Sequence, residues 1–265
     1  KNLRRETAMH KHTVIDLFAG IGGFSLGLER VGGGYFKTEA FCEVDPKARE
    51  VLAKQWPGVK IYEDIKELTH EQLQADGILP SVYCLGFPCQ DISNSGRQAG
   101  ISGPESGLWK EAVRLIRDVS KEKQPAFCII ENVSVLRSRG LDVVLSDLHS
   151  LGLDAEWHCL PATAFAEAPH QRDRIWIIAY PRSARSEVGL PGQDEREERD
   201  SVILNDSRYR LARGKIESPW ATSSMPIRVG DGFPNRTHRL HQLGNAVIPA
   251  IPQLIGEAIK DYEKI

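Results

Sequence analysis

The sequence lacks long apolar runs, closely paired cysteines and a strong net charge. Its 265 residues carry a formal net charge of −2, and no apolar stretch approaches the roughly 20 residues that a membrane-spanning helix needs. The five cysteines lie too far apart to form zinc-binding pairs, and their odd number argues against a disulfide framework. The polar, basic stretch 1–11 argues against a secretory signal. We therefore expect a cytoplasmic globular protein with no membrane partner and no metal, and a monomer by default.

Short β-branched runs alternate with amphipathic stretches between Thr13 and Tyr180. This alternation predicts an α/β fold with a mostly parallel sheet covered on both faces. The predicted strands are Thr13–Phe18, Phe36–Glu43, Val59–Tyr62, Ser81–Leu85, Ala126–Glu131, Ala155–Leu160 and Ile175–Tyr180. The predicted helices are Pro46–Gln55 with Asp45 as its N-cap, Glu105–Lys121, Gly140–Leu151 and Ala246–Tyr262. In such sheets ligands bind beyond the carboxyl ends of the strands.

The stretch 181–239 has a different composition, rich in charged residues, serine, proline and glycine, with little periodicity. We divide the chain accordingly into a catalytic domain (12–180), this polar region (181–239) and a helix that returns to the domain (240–265). Within the polar region, Arg208, Arg210 and Arg213 lie in a segment without acidic residues. Such a segment is either a solvated loop or a phosphate-binding surface, and it favours the latter only if the rest of the chain implies nucleic acid.

Three features at successive strand ends indicate an adenosine-type ligand. The first strand runs into a glycine-rich turn, Phe18–Gly22, which allows a ligand to approach the backbone closely. Glu43 ends the second strand, where its carboxylate can accept both hydroxyls of a ribose, and Asp64 follows the third. Each carboxylate alone would more often be a surface or capping residue, but the three together favour a nucleoside site.

Cys89 follows the fourth strand in the segment GFPCQDIS, where Pro88 and Gln90 indicate an accessible loop rather than a buried position. An accessible thiol is a useful nucleophile when its surroundings favour the thiolate. Glu131 ends the fifth strand in the segment ENV, at the same edge of the sheet. Arg172 and Arg174 enter the seventh strand at alternate positions, so both point to one side.

The ordered segments DLFAGIGGFSLGLE, GFPCQDIS, ENV, PHQRDR and LGNAVIP resemble the motif series of the DNA cytosine-5 methyltransferase family, of the prokaryotic or phage type. The resemblance implies a Rossmann-like, S-adenosylmethionine-dependent methyltransferase fold with a mixed, mostly parallel seven-stranded sheet. It also implies a small target-recognition insertion, for which 181–239 occupies the expected place. The chain departs from the pattern at His170, where the family usually has glutamine, and its recognition region is short.

The resemblance assigns roles to individual residues. Cys89 becomes the nucleophile that attacks carbon 6 of a flipped-out cytosine. A protonated Glu131 stabilises the electron density that develops on ring nitrogen 3. Arg172 grips the cytosine carbonyl oxygen, with Arg174 as its supporting partner. The implied cofactor contacts are Phe18, Gly20, Ile21, Gly22, Glu43, Val44, Asp64, Ile65, Pro88, Leu108 and Asn245. The implied DNA contacts are Gln90, Ser93, Arg208, Arg210 and Arg213.

The implied partners are S-adenosylmethionine, with S-adenosylhomocysteine as product, and double-stranded DNA. A cognate restriction endonuclease acting on the same site is a further candidate partner. Three alternatives stay open: the same chemistry on a tRNA cytosine, a Rossmann oxidoreductase with a dinucleotide cofactor, and a DNA-binding relative without activity. Ser25, where a dinucleotide turn would want a third glycine, argues against the oxidoreductase.

Overall fold

A computed structural model of the protein describes residues 10–88, 107–161, 173–183 and 246–264. Seven strands form one sheet in the order β3-β2-β1-β4-β5-β7-β6. β7 is antiparallel to both of its neighbours, and every other pairing in the sheet is parallel. The strands are β1 (His12–Leu17), β2 (Phe36–Cys42), β3 (Lys60–Tyr62), β4 (Val82–Leu85), β5 (Phe127–Val133), β6 (Leu153–Pro161) and β7 (Asp173–Pro181). The predicted mixed, mostly parallel seven-stranded sheet is confirmed.

Six α-helices accompany these strands in the described part of the chain. They are α1 (Gly23–Glu29), α2 (Pro46–Gln55), α3 (His70–Ala75), α4 (Leu108–Ser120), α5 (Leu141–Ser150) and α6 (Ala250–Tyr262). The Asp45 side chain accepts from the Lys47 amide, so the predicted N-cap of α2 is confirmed. A short 3-10 helix, Ser134–Ser138, follows β5.

Two helix predictions need correction. α3 was not predicted, although Thr69 and Gln72 form a reciprocal capping box at its start. α6 begins at Ala250 and not at Ala246, because Pro249 disfavours the helical backbone at the residue before it. Residues 246–248 instead have no regular secondary structure, and Pro249 caps the start of the helix.

Apolar side chains cover both faces of the sheet. On one face α4 and α5 bury Trp109, Leu115 and Leu148 against the strands. On the other face α1 and α6 pack Phe24 and Ile255 over their own set of strand residues. Both helix layers are therefore anchored by apolar burial, the dominant favourable term in folding.

α1 and the approach to α6 lie so close together that side chains do not fit between them. A Cβ atom on Gly23 would lie 2.3 Å from the Val247 carbonyl oxygen, and one on Gly27 would lie 2.2 Å from that of Pro249. Only glycine allows this backbone contact. It places the segment before α6 beside the start of α1, at the carboxyl end of β1.

The amino end of the sheet is closed by the end of α6. Glu263 Oε2 lies 2.9 Å from His12 Nε2, and it accepts a hydrogen bond from the Tyr35 hydroxyl. The other ring nitrogen of His12 lies 3.0 Å from the Ser81 hydroxyl. Burial alone would raise the pKa of Glu263, but the hydrogen bonds from His12 and Tyr35 lower it to about 2. No helix among the described residues is long and apolar enough to cross a membrane.

Candidate active site

The turn after β1 contains three residues with left-handed backbone angles. Phe18 has φ 59°, a left-handed value that is uncommon for a residue with a side chain, and Gly20 and Gly22 have φ 54° and 85°. Left-handed residues with side chains cost free energy and cluster at ligand-binding sites. The predicted ligand turn therefore has a conformation that suits close approach of a ligand to the backbone.

Glu43 is fixed beside this turn by two main-chain amides. Its Oε2 accepts from Gly20 N at 2.6 Å, and its Oε1 accepts from Asp45 N at 2.8 Å. An ionised carboxylate has about four acceptor positions, so each oxygen keeps capacity for a further donor. A vicinal diol such as that of a ribose would supply two such donors.

Asp64 has a similar arrangement at the end of β3. Its Oδ1 accepts from Lys66 N at 2.9 Å, and its carbonyl oxygen accepts from Glu67 N and Leu68 N. Val44 is 70% exposed, which suits an apolar wall that a ligand would cover. Ile65 is only 3% exposed and packs in the core, so its predicted contribution to such a wall stays a prediction.

Asp16 lies under the turn and is fully buried. Its Oδ2 accepts from the Ser25 amide at 3.3 Å and from the Ser25 hydroxyl at 3.0 Å. Its other oxygen has no hydrogen-bond partner among the described residues. Burial raises the pKa of Asp16 to about 8 despite the hydrogen bonds from Ser25, which lower it. The carboxyl group is therefore largely protonated at neutral pH.

The structure brings Glu131 and Arg174 together at the tip of β5. Arg174 Nε lies 2.9 Å from Glu131 Oε1, and the two side chains are 22% and 11% exposed. The antiparallel register pairs Glu131 with Trp176 and Val133 with Arg174, so the two charged residues are diagonal neighbours on one face. Of the two predicted arginines, Arg174 is the one that the described structure places at the glutamate.

Asn132 is a residue of this region that the sequence prediction gave no role. Its side chain is buried, donates to the Phe87 carbonyl oxygen at 3.1 Å and accepts from Val133 N at 2.8 Å. It thereby ties the chain leaving β4, which leads through Pro88 to Cys89, to the end of β5. The Glu-Asn pair at a strand tip was the only sequence signal for this contact.

Several predicted site residues lie outside the described residues. They are Cys89, Gln90, Ser93, Arg172, Arg208, Arg210, Arg213 and Asn245, together with most of the predicted recognition region. Leu108 is half-buried at the start of α4 and packs against the core. Within the described ranges, no group of three histidine, cysteine or acidic side chains could hold a metal ion.

Comparison with known proteins identifies relatives along the chain. A family model described as C-5 cytosine-specific DNA methylase matches residues 12–218. The Type II methyltransferase M2.BsuMI of Bacillus subtilis (strain 168) is 39% identical over 172 residues, which cover 63% of this chain and 41% of the relative. M.Sau3AI of Staphylococcus aureus is 31% identical over 254 residues, 89% of this chain and 56% of the relative. The chain spans about half the length of the curated relatives it matches.

Solved structures agree on the fold. A putative DNA modification methyltransferase encoded within a prophage of E. coli is 25% identical with a TM-score of 0.53, covering 73% of this chain and 53% of that one. A DNMT2 variant of Spodoptera frugiperda is 16% identical with a TM-score of 0.53, covering 71% of this chain and 54% of that one. These likenesses confirm the predicted Rossmann-like methyltransferase fold. The chain belongs to the family of C-5 cytosine-specific DNA methylases.

Proposed function

We propose that this chain transfers a methyl group from S-adenosylmethionine to carbon 5 of a cytosine in double-stranded DNA, through a covalent adduct on Cys89. Family membership supports the reaction, and the pairing of Glu131 with Arg174 beside the strand that leads to Cys89 is the observation that carries it. A largely buried carboxylate that is paired with an arginine at the carboxyl end of β5 suits recognition of a polar ring.

The cofactor fits the first three strand ends. Glu43 would receive the ribose hydroxyls, Asp64 the adenine amino group, and Val44 would cover the adenine ring. The exposed Val44 and the spare acceptor positions on Glu43 support this assignment. Phe18, Gly20, Ile21, Gly22, Pro88, Leu108 and Asn245 complete the proposed contacts. When bound, S-adenosylmethionine supplies an electrophilic methyl group.

The residues of the chain prepare the pyrimidine for methylation. The Cys89 thiolate adds to carbon 6, which breaks the aromaticity and makes carbon 5 nucleophilic. Glu131 would take up a proton when the base is bound, donate it to ring nitrogen 3 as electron density moves there, and keep its other oxygen on Arg174. Arg172 grips the carbonyl oxygen of the base. After carbon 5 has taken the methyl group, its proton passes to solvent water, the bond to sulfur breaks to release the Cys89 thiolate, and ring nitrogen 3 returns its proton to Glu131.

The DNA must present the base outside the helix, because carbon 6 is inaccessible in a stacked cytosine. We propose that Gln90, Ser93 and the polar region 181–239, through Arg208, Arg210 and Arg213, offset the cost of unstacking by binding the DNA. The bacterial Type II methyltransferases among the relatives suggest a cytoplasmic bacterial or phage enzyme, with a restriction endonuclease of the same specificity as a candidate partner.

Trapping on DNA that contains 5-fluorocytosine tests the chemistry. Fluorine cannot leave carbon 5 as a proton does, so the wild-type chain should form an adduct that survives denaturation and maps to Cys89. Cys89→Ser should form none, whereas Cys159→Ser, a change at a half-buried cysteine, should behave as wild type. An adduct on another residue would refute the assignment of Cys89.

The tRNA alternative is tested with labelled S-adenosylmethionine offered with duplex DNA or with tRNA. We expect label on the DNA alone, because the family model that matches is one of DNA methylases. Label on tRNA alone would refute the proposed substrate. Bisulfite sequencing of DNA from expressing cells would then reveal the recognised site.

A further inference from the structure

Two arginines bind the backbone of the two loops that carry Glu43 and Asp64. Arg49 on α2 donates from Nη1 to the carbonyl oxygens of Glu43 at 3.1 Å and Val44 at 2.7 Å. Arg114 on α4 donates from Nη2 to the carbonyl oxygens of Ile65 at 2.9 Å and Leu68 at 3.0 Å. Each guanidinium thus joins two carbonyl groups of one loop.

These contacts satisfy carbonyl groups that lie just beyond the strands. A charged donor makes a stronger hydrogen bond than a neutral one, and the planar guanidinium can serve several acceptors in fixed directions. Acidic neighbours orient both arginines: Glu63 Oε2 lies 3.4 Å from Arg49 Nη2, and Glu111 accepts from Arg114 Nε at 2.8 Å. The two side chains are 22% and 34% exposed, so solvent only partly screens them.

The arginines are not needed to attach their helices to the sheet. α2 buries Ala48 and Leu52, and α4 buries a full apolar face that includes Trp109 and Ile116. What the arginines add is the placement of the loops. Arg49 fixes the main chain of Glu43 while its carboxylate is fixed by Gly20 and Asp45, and Arg114 fixes the residue after Asp64.

We propose that Arg49 and Arg114 are positioning residues for the methyl donor, which hold the loops of Glu43 and Asp64 at the spacing that the ribose and adenine require. The inference rests on the proposed function, because it takes Glu43 and Asp64 as adenosine contacts. Misplacing such groups by about 1 Å is enough to weaken binding substantially. The arginines should therefore govern affinity for the donor and leave the chemical step alone.

Binding of S-adenosylhomocysteine by calorimetry tests this without turnover. Arg49→Gln and Arg114→Gln should each raise its Kd about tenfold or more, whereas Lys54→Gln on α2 and Arg117→Gln on α4, both exposed, should not. Arg49→Lys, which keeps a charged donor, should recover part of the affinity. In methyl transfer, KM for the donor should rise while kcat at saturating donor stays unchanged.

A double variant asks whether Arg49 acts through Glu43. In a Glu43→Gln background, Arg49→Gln should raise the Kd by less than it does alone, because the group it positions is already altered. Full additivity would overturn the inference, as would unchanged affinity in both arginine variants or a loss explained by a smaller folded fraction. If the wild-type chain itself binds no S-adenosylhomocysteine, the proposed function fails, and this inference fails with it.

Discussion

At the amino end of the sheet, a single carboxylate oxygen of Glu263 binds His12, Tyr35 and Lys11. At the carboxyl end, Phe18 holds a left-handed backbone, Asp16 keeps a buried oxygen without a partner among the described residues, and Val44 is exposed. The first arrangement lowers the free energy of the folded chain, and the second raises it.

The two ends therefore differ in how their polar groups and backbone contribute to the free energy of the folded chain. The left-handed Phe18 and the buried carboxyl groups of Asp16 and Glu131 lie where the cofactor and the base are proposed to bind. Such features persist only when the surrounding structure holds them in place. The amino end, far from the proposed chemistry, is free to be optimised for stability. Changes at the two ends should therefore separate activity from stability.

The largest expected effect is at the carboxyl end, in Glu131→Gln. The amide can still accept from Arg174 but cannot deliver a proton to ring nitrogen 3, so single-turnover methyl transfer should slow by about 100-fold or more. Because Arg174 keeps a hydrogen bond but loses its ion pair, the free energy of unfolding should also fall by about 1 kcal/mol, so rates are compared at equal concentrations of folded protein. Glu50→Gln, at an exposed position of α2, is the control. Equal rates in the two variants would remove Glu131 from the mechanism.

The next effect concerns Asp16 and the pH dependence of stability. Its pKa is raised from 3.8 to about 8 in the folded chain, so the stability it contributes is fully present below pH 3.8 and is lost as the pH rises toward 8. From pH 5.5 to pH 7 this group alone should lower the free energy of unfolding by about 2 kcal/mol. In urea titrations at different pH, the free energy of unfolding of Asp16→Asn should lack this dependence on pH. Asp142→Asn, a change at an exposed residue, should keep it. Parallel slopes for wild type and Asp16→Asn would contradict the buried, protonated state.

The smallest effect is at the amino end, in Glu263→Gln. The variant weakens the hydrogen bonds with His12 and Tyr35 and should lower the free energy of unfolding at neutral pH by about 1 kcal/mol. Because the pKa of Glu263 is lowered from 4.5 to about 2, its contribution is present above pH 4.5 and is lost as the pH falls toward 2. The difference from wild type should narrow over that range, while methyl transfer stays at the wild-type rate. Loss of activity without loss of stability would show that the two ends are coupled.

The parts of the fold that the sequence predicted are those with local signals. The glycine turn, the Asp45 cap and the apolar face of α4 each depend on residues a few positions apart. The short helix α3 was missed because its six residues give little periodicity, although its capping box was readable. The start of α6 was misplaced because the pattern of isoleucines continues through Pro249, whose ring disfavours a helical residue before it.

The arrangement at the glutamate depended on long-range register instead. Alternate spacing predicted that Arg172 and Arg174 share a face, but it could not say which of them meets Glu131. The pairing of Val133 with Arg174 across β5 and β7 decides this for the described residues. Likewise, no local pattern connects Asn132 with Phe87, or Arg49 and Arg114 with the carbonyl groups that they bind.

The reversed direction of β7 has a consequence for the chain that follows it. β7 begins beside the carboxyl end of β5. It ends at Pro181, which pairs with Leu153, the first residue of β6, at the opposite end of the strands. Val247 lies beside Gly23 at the start of α1, at the opposite end of the strands, so the chain between β7 and α6 must span at least the length of a nine-residue strand, about 30 Å. A bridge of roughly ten extended residues is the minimum for that distance. If residues 184–245 were shortened below this minimum length, α6 could no longer keep its backbone contact with Gly23 and Gly27 of α1.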